Sequence, residues 1–314
     1  MKNFIWNEEA KQTLDKILNI WPKIIRPSWK EKIEKSCQRI ALLNDKTIVT
    51  KELVIEASID ALPKSYEPPL MRAIDPEGFN QKKILQEKQN PEKPDIKIYR
   101  WNQNGSHHEP IGKKPEEMKV FAIVGSPRNG GTTDILIEEM LKGAQSLGAK
   151  CKKTILQELK ISGCTGCMSC KMKELESICV IRDDMERIYK NILEADSIII
   201  GSPIYTGRET SQTAMFFDRL AALRMSSHFK KLQTVKPGAL VMTWGWPSTD
   251  AYNHIAEFLM MLMHLFRIDP VEVVTACGFW GAYYEKGTVR KDKEGMAEAF
   301  NAGKSLVAGK SVHL

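Results

Sequence analysis

Cys164, Cys167, Cys170 and Cys179 stand in the spacing C-x2-C-x2-C-x8-C and account for four of the chain's seven cysteines. Thiolates are soft metal ligands and redox groups, so a run this dense points to metal or electron chemistry. Tetrahedral zinc usually draws on two separated C-x2-C pairs, which three thiols at successive x2 steps do not supply. The same run is close to the pattern that wraps three corners of an iron–sulfur cube, with a fourth thiolate from further along. Cysteines three residues apart pair with strain, and no leader directing the chain to an oxidising compartment is visible. The expectation is an iron–sulfur site. Metal-free thiols, zinc or a disulfide are the alternatives.

A second run is Gly125-Ser126-Pro127-Arg128-Asn129-Gly130-Gly131-Thr132-Thr133. It falls between an apolar strand pattern and a helix pattern, where a doubly wound fold binds phosphate. Glycines there turn the backbone tightly and aim N–H groups inward. Ser126, Arg128, Asn129, Gly131, Thr132 and Thr133 are the candidate contacts. The run lacks a Gly-Lys-Ser/Thr ending and a G-x-G-x-x-G pattern, so neither a nucleoside triphosphatase loop nor a dinucleotide site is indicated. Two further loops are expected at the same sheet edge. One is Gly201-Ser202-Pro203-Ile204-Tyr205-Thr206-Gly207, the other Thr243-Trp244-Gly245-Trp246-Pro247. A phosphate loop beside two loops suited to a flat heterocycle fits flavin mononucleotide (FMN). Pro203, Ile204, Tyr205, Thr206, Gly207, Trp244 and Gly245 are then the candidate ring contacts. For the tryptophans, packing onto the core competes with ring contact.

These loops need a sheet to hold them. From Met118 the chain alternates apolar strand patterns with helix patterns. Strands are expected at Val120–Val124, Lys150–Leu156, Ser197–Ile200, Ala239–Thr243 and Val271–Ala276. Helices are expected at 134–147, from Asp183 or Asp184 to Glu194, and at 210–224, 250–266 and from about Glu294. That is an α/β domain over 118–314, a doubly wound five-stranded parallel sheet of order 2-1-3-4-5. Residues 1–62 read as a small all-helical domain, with Asn7 and Thr50 as caps and Pro27 in a first turn. Residues 63–117 hold eight of the fifteen prolines and read as a linker, in which 96–101 alternates like an edge strand. His107-His108 in that stretch reads as a solvated loop.

The totals narrow the function. The chain has 314 residues, 42% of them apolar, and a formal net charge of +7. The excess charge forms no basic tail or stripe, which argues against nucleic acid. No apolar run approaches the length of a membrane span, so no membrane role is expected, and a cytoplasmic location is. Met260, Met261 and Met263 read as helix core. Cys37, Cys151 and Cys277 read as packed thiols. Asp183-Asp184 reads as a helix cap and Asp218-Arg219 as an ion pair.

The residues from 118 to about 310 resemble the flavodoxin-like NADPH-dependent FMN reductase and iron–sulfur flavoprotein superfamily. The resemblance rests on Gly125-Ser126-Pro127-Arg128 with Thr133, on Cys164, Cys167 and Cys170 followed by Cys179-Val180-Ile181-Arg182-Asp183-Asp184-Met185, and on Gly201-Ser202-Pro203-Ile204-Tyr205 ending in Asp218-Arg219. It implies FMN held at its phosphate by the first loop and at its ring by the later ones. It implies a [4Fe–4S] cluster on the four matched cysteines, and a homodimer or tetramer. The chain departs from the pattern at Thr132, usually asparagine, at Thr206, often aromatic, and at Ala214, commonly lysine. The x8 gap before Cys179 is also long. The N-terminal unit is similar to the small C-terminal domain of the B subunit of light-independent protochlorophyllide reductase, which implies contact with a redox partner or a substrate-covering role.

The function expected is an oxidoreductase passing electrons between a reduced donor, ferredoxin or NAD(P)H, and an acceptor through FMN and the cluster. No side chain is expected to act as a catalyst of its own, since the cofactors carry the chemistry. A cluster-free NAD(P)H-dependent FMN or quinone reductase is the alternative. A non-enzymatic FMN-containing docking scaffold is the second.

Overall fold

Capping side chains start the N-terminal helices. Asn7 Oδ1 accepts the Ala10 N–H at 2.8 Å and begins α1 (Glu8–Leu18), with Glu8 and Glu9 in the positive first turn. Pro27 sits in the first turn of α2 (Arg26–Leu43), where no N–H is needed. Thr50 Oγ1 accepts the Leu53 N–H and begins α3 (Lys51–Ala61). The computed structural model describes residues 4–62, 66–78, 96–102, 112–172, 177–225, 235–278 and 286–308. The chain divides into two compact units. One comprises Met1–Asn90 with Asp250–Tyr252, the other Pro91–Thr249 with Asn253–Leu314.

The first unit extends past the expected boundary. Two short strands, β1 (Ile5–Trp6) and β2 (Ile48–Val49), pair in parallel. A fourth helix, α4 (Glu67–Ile74), lies within what reads as linker in the sequence. Pro68 and Pro69 both fall in its first turn, where no intrahelical N–H is needed, so proline here starts a helix instead of holding extended chain. Leu70 is buried in the same core as Leu14, Ile17, Ile33 and Leu53. Trp21 stacks on Trp29 at 5.2 Å and meets the edge of Tyr66 at 4.6 Å. Each fully buried aliphatic of this set contributes about 1.5–3 kcal/mol. His107-His108 lies outside the described residues.

The second unit is built on β3 (Lys97–Asn102), β4 (Lys119–Val124), β5 (Lys150–Ile155), β6 (Ser197–Tyr205), β7 (Arg208–Glu209), β8 (Lys236–Thr243) and β9 (Ile268–Cys277). The parallel strands run β5-β4-β6-β8-β9, which is the expected order 2-1-3-4-5. β3 adds an antiparallel edge on β9. Arg100 pins it there with a fork onto Glu272, Nε to Oε2 and Nη2 to Oε1 both at 2.9 Å. Helices α5 (Thr132–Gln145), α6 (Ser169–Met172), α7 (Met185–Glu194), α8 (Ser211–Met225), α9 (Asn253–Leu265) and α10 (Lys293–Ala308) complete the unit. Val120, Ala122 and Val124 share a core with α5 and α10, and the alternate positions Phe121 and Ile123 are equally buried. Both faces of the sheet are therefore covered, as parallel strands require. This is a flavodoxin-like α/β fold.

Two further expectations need correction. β6 runs to Tyr205, so residues 201–205 are strand, not loop. Thr206 (φ 49°) and Gly207 (φ 80°) then make a two-residue turn into β7, with Tyr205 paired to Arg208. Two left-handed residues in succession give the tight turn that matches strand twist. The methionine expectation fails at Met261, which is 58% exposed, while Met263 is fully buried. At 100° per residue, positions 260, 261 and 263 cannot share one face. No helix of the described residues is long and apolar enough to cross a membrane.

Candidate functional site

The sheet register brings four loops to one edge. Val124 pairs with both Ile155 and Gly201, and Pro203 pairs with Thr243, so β4, β5, β6 and β8 end together. The turn after β4 begins at Gly125, whose N–H donates to Gly201 O at 2.7 Å. A Cβ there would collide with the Thr213 hydroxyl, so only glycine fits. Thr210 Oγ1 donates to Gly125 O at 2.7 Å and ties the start of α8 to this turn.

Gly130 has φ +69°, and Gly131 is the N-cap of α5 without a side chain to cap it. A Cβ on Gly131 would press on Arg128 O at 3.0 Å. Gly131 N–H donates to Arg128 O at 3.0 Å, so the amides left for an anion are those of the first turn of this fourteen-residue helix, which have no intrahelical partner. This cradle fits a phosphate. The side chains expected to donate are partly engaged elsewhere. Thr133 Oγ1 lies 2.7 Å from Thr243 Oγ1, Ser126 Oγ accepts the Arg128 N–H at 3.2 Å, and Asn129 Nδ2 donates to Glu158 Oε1 at 3.1 Å. Arg128 and Thr132 reach solvent at the loop.

The residue that sequence reasoning missed is Asp134. Its carboxylate is 1% exposed, accepts the Gly130 N–H at 2.7 Å and pairs with Lys153 Nζ at 2.6 Å. Burial alone would lower the Lys153 pKa, but hydrogen bonds to Asp134 and Glu138 outweigh it and hold the ammonium above its ordinary range. An acid in the first turn of the helix after a glycine loop was the available signal.

The loops expected to meet a ring divide. Tyr205 is 39% exposed on the β6–β7 turn, with Ile204, Thr206 and Gly207 beside it, whereas Pro203 is buried in the strand. Trp244 and Trp246 are both buried, and Trp244 Nε1 donates to Ser248 O at 2.9 Å. The tryptophans pack into the core, leaving the partly exposed Gly245 as the accessible part of that loop.

The cysteine loop follows β5. Cys164 and Cys167 are exposed, and Cys170 and Cys179 are half-buried; all are free thiols. Gly166 (φ 65°) and Met168 (φ 60°) turn the backbone between the first three. A hydrogen bond from Ser169 holds the Cys167 thiol below its usual range. Burial pushes the Cys170 thiol up, and Cys179, Cys167 and Cys164 add to the effect. Among the described residues no three His, Cys, Asp or Glu groups stand at metal-ligand geometry. The donor set is all sulfur, which suits an iron–sulfur cluster. Cys37 and Cys277 are buried and Cys151 half-buried, away from this loop's pattern.

Arg219 does not pair with its neighbour Asp218. It forks onto Asp183, Nη1 to Oδ2 at 2.6 Å and Nη2 to Oδ1 at 3.1 Å, with side chains 1% and 9% exposed. Arg219 Nη1 also donates to Ser162 O at 2.6 Å, and Asp183 Oδ2 accepts the Ser162 N–H at 2.9 Å. Asp184 Oδ2 accepts the Lys160 N–H at 2.8 Å. Asp183 Oδ1 accepts the Met185 N–H at 3.1 Å, while Asp184, the N-cap residue of α7, makes no side-chain capping bond and turns its carboxylate to Lys160 instead.

Residues 118–278 match the family model described as NADPH-dependent FMN reductase. An iron-sulfur flavoprotein of Methanocaldococcus jannaschii is 40% identical over 191 residues, 60% of this chain and 95% of the relative. A second from that organism is 39% identical over 188 residues, covering 57% and 90%. An iron-sulfur flavoprotein of Archaeoglobus fulgidus is 36% identical over 161 residues, covering 51% and 69%.

Proposed function

Since this chain belongs to the NADPH-dependent FMN reductase family and is an FMN-dependent oxidoreductase, we propose that it relays electrons from NAD(P)H or reduced ferredoxin to an acceptor through FMN and a [4Fe–4S] cluster. The observation that carries the reading is the shared sheet edge: the phosphate loop ends β4 and the cysteine loop ends β5, and these strands are neighbours. When bound, FMN supplies electron exchange in pairs or singly, and a cluster supplies it singly.

The chain's own residues bind and orient. The N–H groups of the first turn of α5, which have no intrahelical partner, hold the phosphate with Arg128 and Thr132, while Gly130, Gly131 and Thr133 shape the turn through the bonds they already make. Tyr205, Thr206 and Gly207 border the ring on one side, and Gly245 on another. Cys164, Cys167, Cys170 and Cys179 ligate the cluster. The iron-sulfur names of the relatives described above support a cluster in this chain. The chain works as a homodimer or tetramer in the cytoplasm, where thiols stay reduced. The N-terminal helical unit docks a redox partner.

The test is anaerobic reduction of the FMN-loaded protein. Bleaching of the flavin bands by NADPH or by reduced ferredoxin is expected and identifies the donor. Failure of both to bleach the flavin contradicts the proposal and leaves a docking scaffold as the better account.

A further inference from the structure

We propose that Arg219 and Asp183 are the positioning residues of the cysteine loop, closing it at its base in the metal-free chain. Hydrogen bonds converge on this pair from both arms of the loop. Ser162, just before Cys164, gives its N–H to Asp183 and its carbonyl to Arg219. On the far arm Asp183 follows Cys179 by four residues, and Ile181 O accepts from Arg219 Nη2 at 3.5 Å. Lys160 and Asp184 add a second rung, Asp184 N–H to Lys160 O at 3.2 Å and Lys160 N–H to Asp184 Oδ2 at 2.8 Å. Arg219 is held in turn. Tyr189 Oη, buried on α7, donates to Arg219 O at 2.7 Å.

A buried ion pair is seldom a gain in stability over an apolar pair of the same size, because both charges lose water. What it supplies is fixed geometry. Here the geometry sets the two ends of a loop whose stretch from Cys164 through Met168 is exposed. Without the clamp, ligation would have to order the whole loop as well as bind metal. With it, the chain before Cys164 and the chain after Cys179 are already joined at Ser162 and Asp183. The clamp also sits on α8, whose start is bonded to the phosphate turn through Thr210. One helix thus carries both loops.

The consequence for metal loading rests on the function proposed above; the closure itself does not. The experiment uses the full chain, FMN-loaded and stripped of iron with a chelator, as wild type, Arg219→Lys and Asp183→Asn. Lysine keeps the charge and loses the fork. Limited proteolysis with mass spectrometry reads cleavage within residues 160–184. Cleavage there is expected to rise about ten-fold or more in both variants, with FMN content unchanged. Reconstitution with ferrous iron and sulfide is expected to recover several-fold less iron than in wild type. Unchanged cleavage in a variant that retains FMN overturns the inference. If wild type takes up no iron, the cluster reading fails, while the cleavage comparison still decides the closure.

Discussion

Lys153 Nζ lies 2.6 Å from Asp134 Oδ1, beneath the turn that joins β4 to α5. The carboxylate accepts the N–H of the left-handed Gly130, and the ammonium offsets a buried negative charge beside the proposed phosphate loop. Lys153→Met therefore leaves Asp134 uncompensated under the anion. FMN affinity should fall about ten-fold, about 1.4 kcal/mol, while riboflavin, which lacks the phosphate, should change much less. Adding Asp134→Asn should restore much of the loss. Fluorescence titration of both flavins reads the difference, and equal weakening of the two would count against the electrostatic account.

Gly125→Ala should be costly for a different reason. The new methyl meets Thr213 Oγ1 and Gly201 O, and β4 must shift. A loss of about 1–3 kcal/mol is expected, a drop in Tm of several degrees. Thr213→Ala in the same chain should recover part of it. Thermal unfolding of the three variants tests this, and no recovery would mean that Gly201 O is the main obstacle.

Thiol reactivity should follow environment. In iron-free protein Cys167, exposed and with its pKa held down by Ser169, should alkylate first at neutral pH. Burial pushes Cys151 up to about 11 and Cys37 up to about 12, so both should react last. Iodoacetamide labelling followed by mass spectrometry gives the order. Early labelling of Cys37 would show that the helical unit opens readily.

Cys179→Ser should leave FMN bound and remove or disable the cluster. Serine is a poor ligand for iron beside three thiolates. Iron analysis of the variant checks the assignment, and a full iron complement there would displace Cys179 from the ligand set.

Much of the site was legible because its signals are local. A spacing of cysteines, a glycine-rich turn after an apolar strand, and caps such as Asn7 and Thr50 need only neighbouring residues. What was missed depends on distance. Arg219 and Asp183 are 36 residues apart, and only the packing of α7 and α8 makes them partners. Asp134 looked like an ordinary first-turn acid until Gly130 and Lys153 closed on it. The prolines of α4 read as extended chain, yet they stand in a helix's first turn, and only the burial of Leu70 in the core of α1–α3 makes that visible. Tyr205 read as loop because Pro203 argues against a strand, yet Pro203 keeps its place opposite Thr243.

The central claim is that one chain carries a flavin and an iron–sulfur cluster on adjacent loops. It is tested most directly by measuring iron, acid-labile sulfide and FMN per chain after anaerobic purification. The account predicts about four irons and four sulfides for each chain, with flavin bands over a broad cluster absorbance. A full complement of FMN with no iron, even after reconstitution, would contradict it and make the protein a cluster-free flavin reductase.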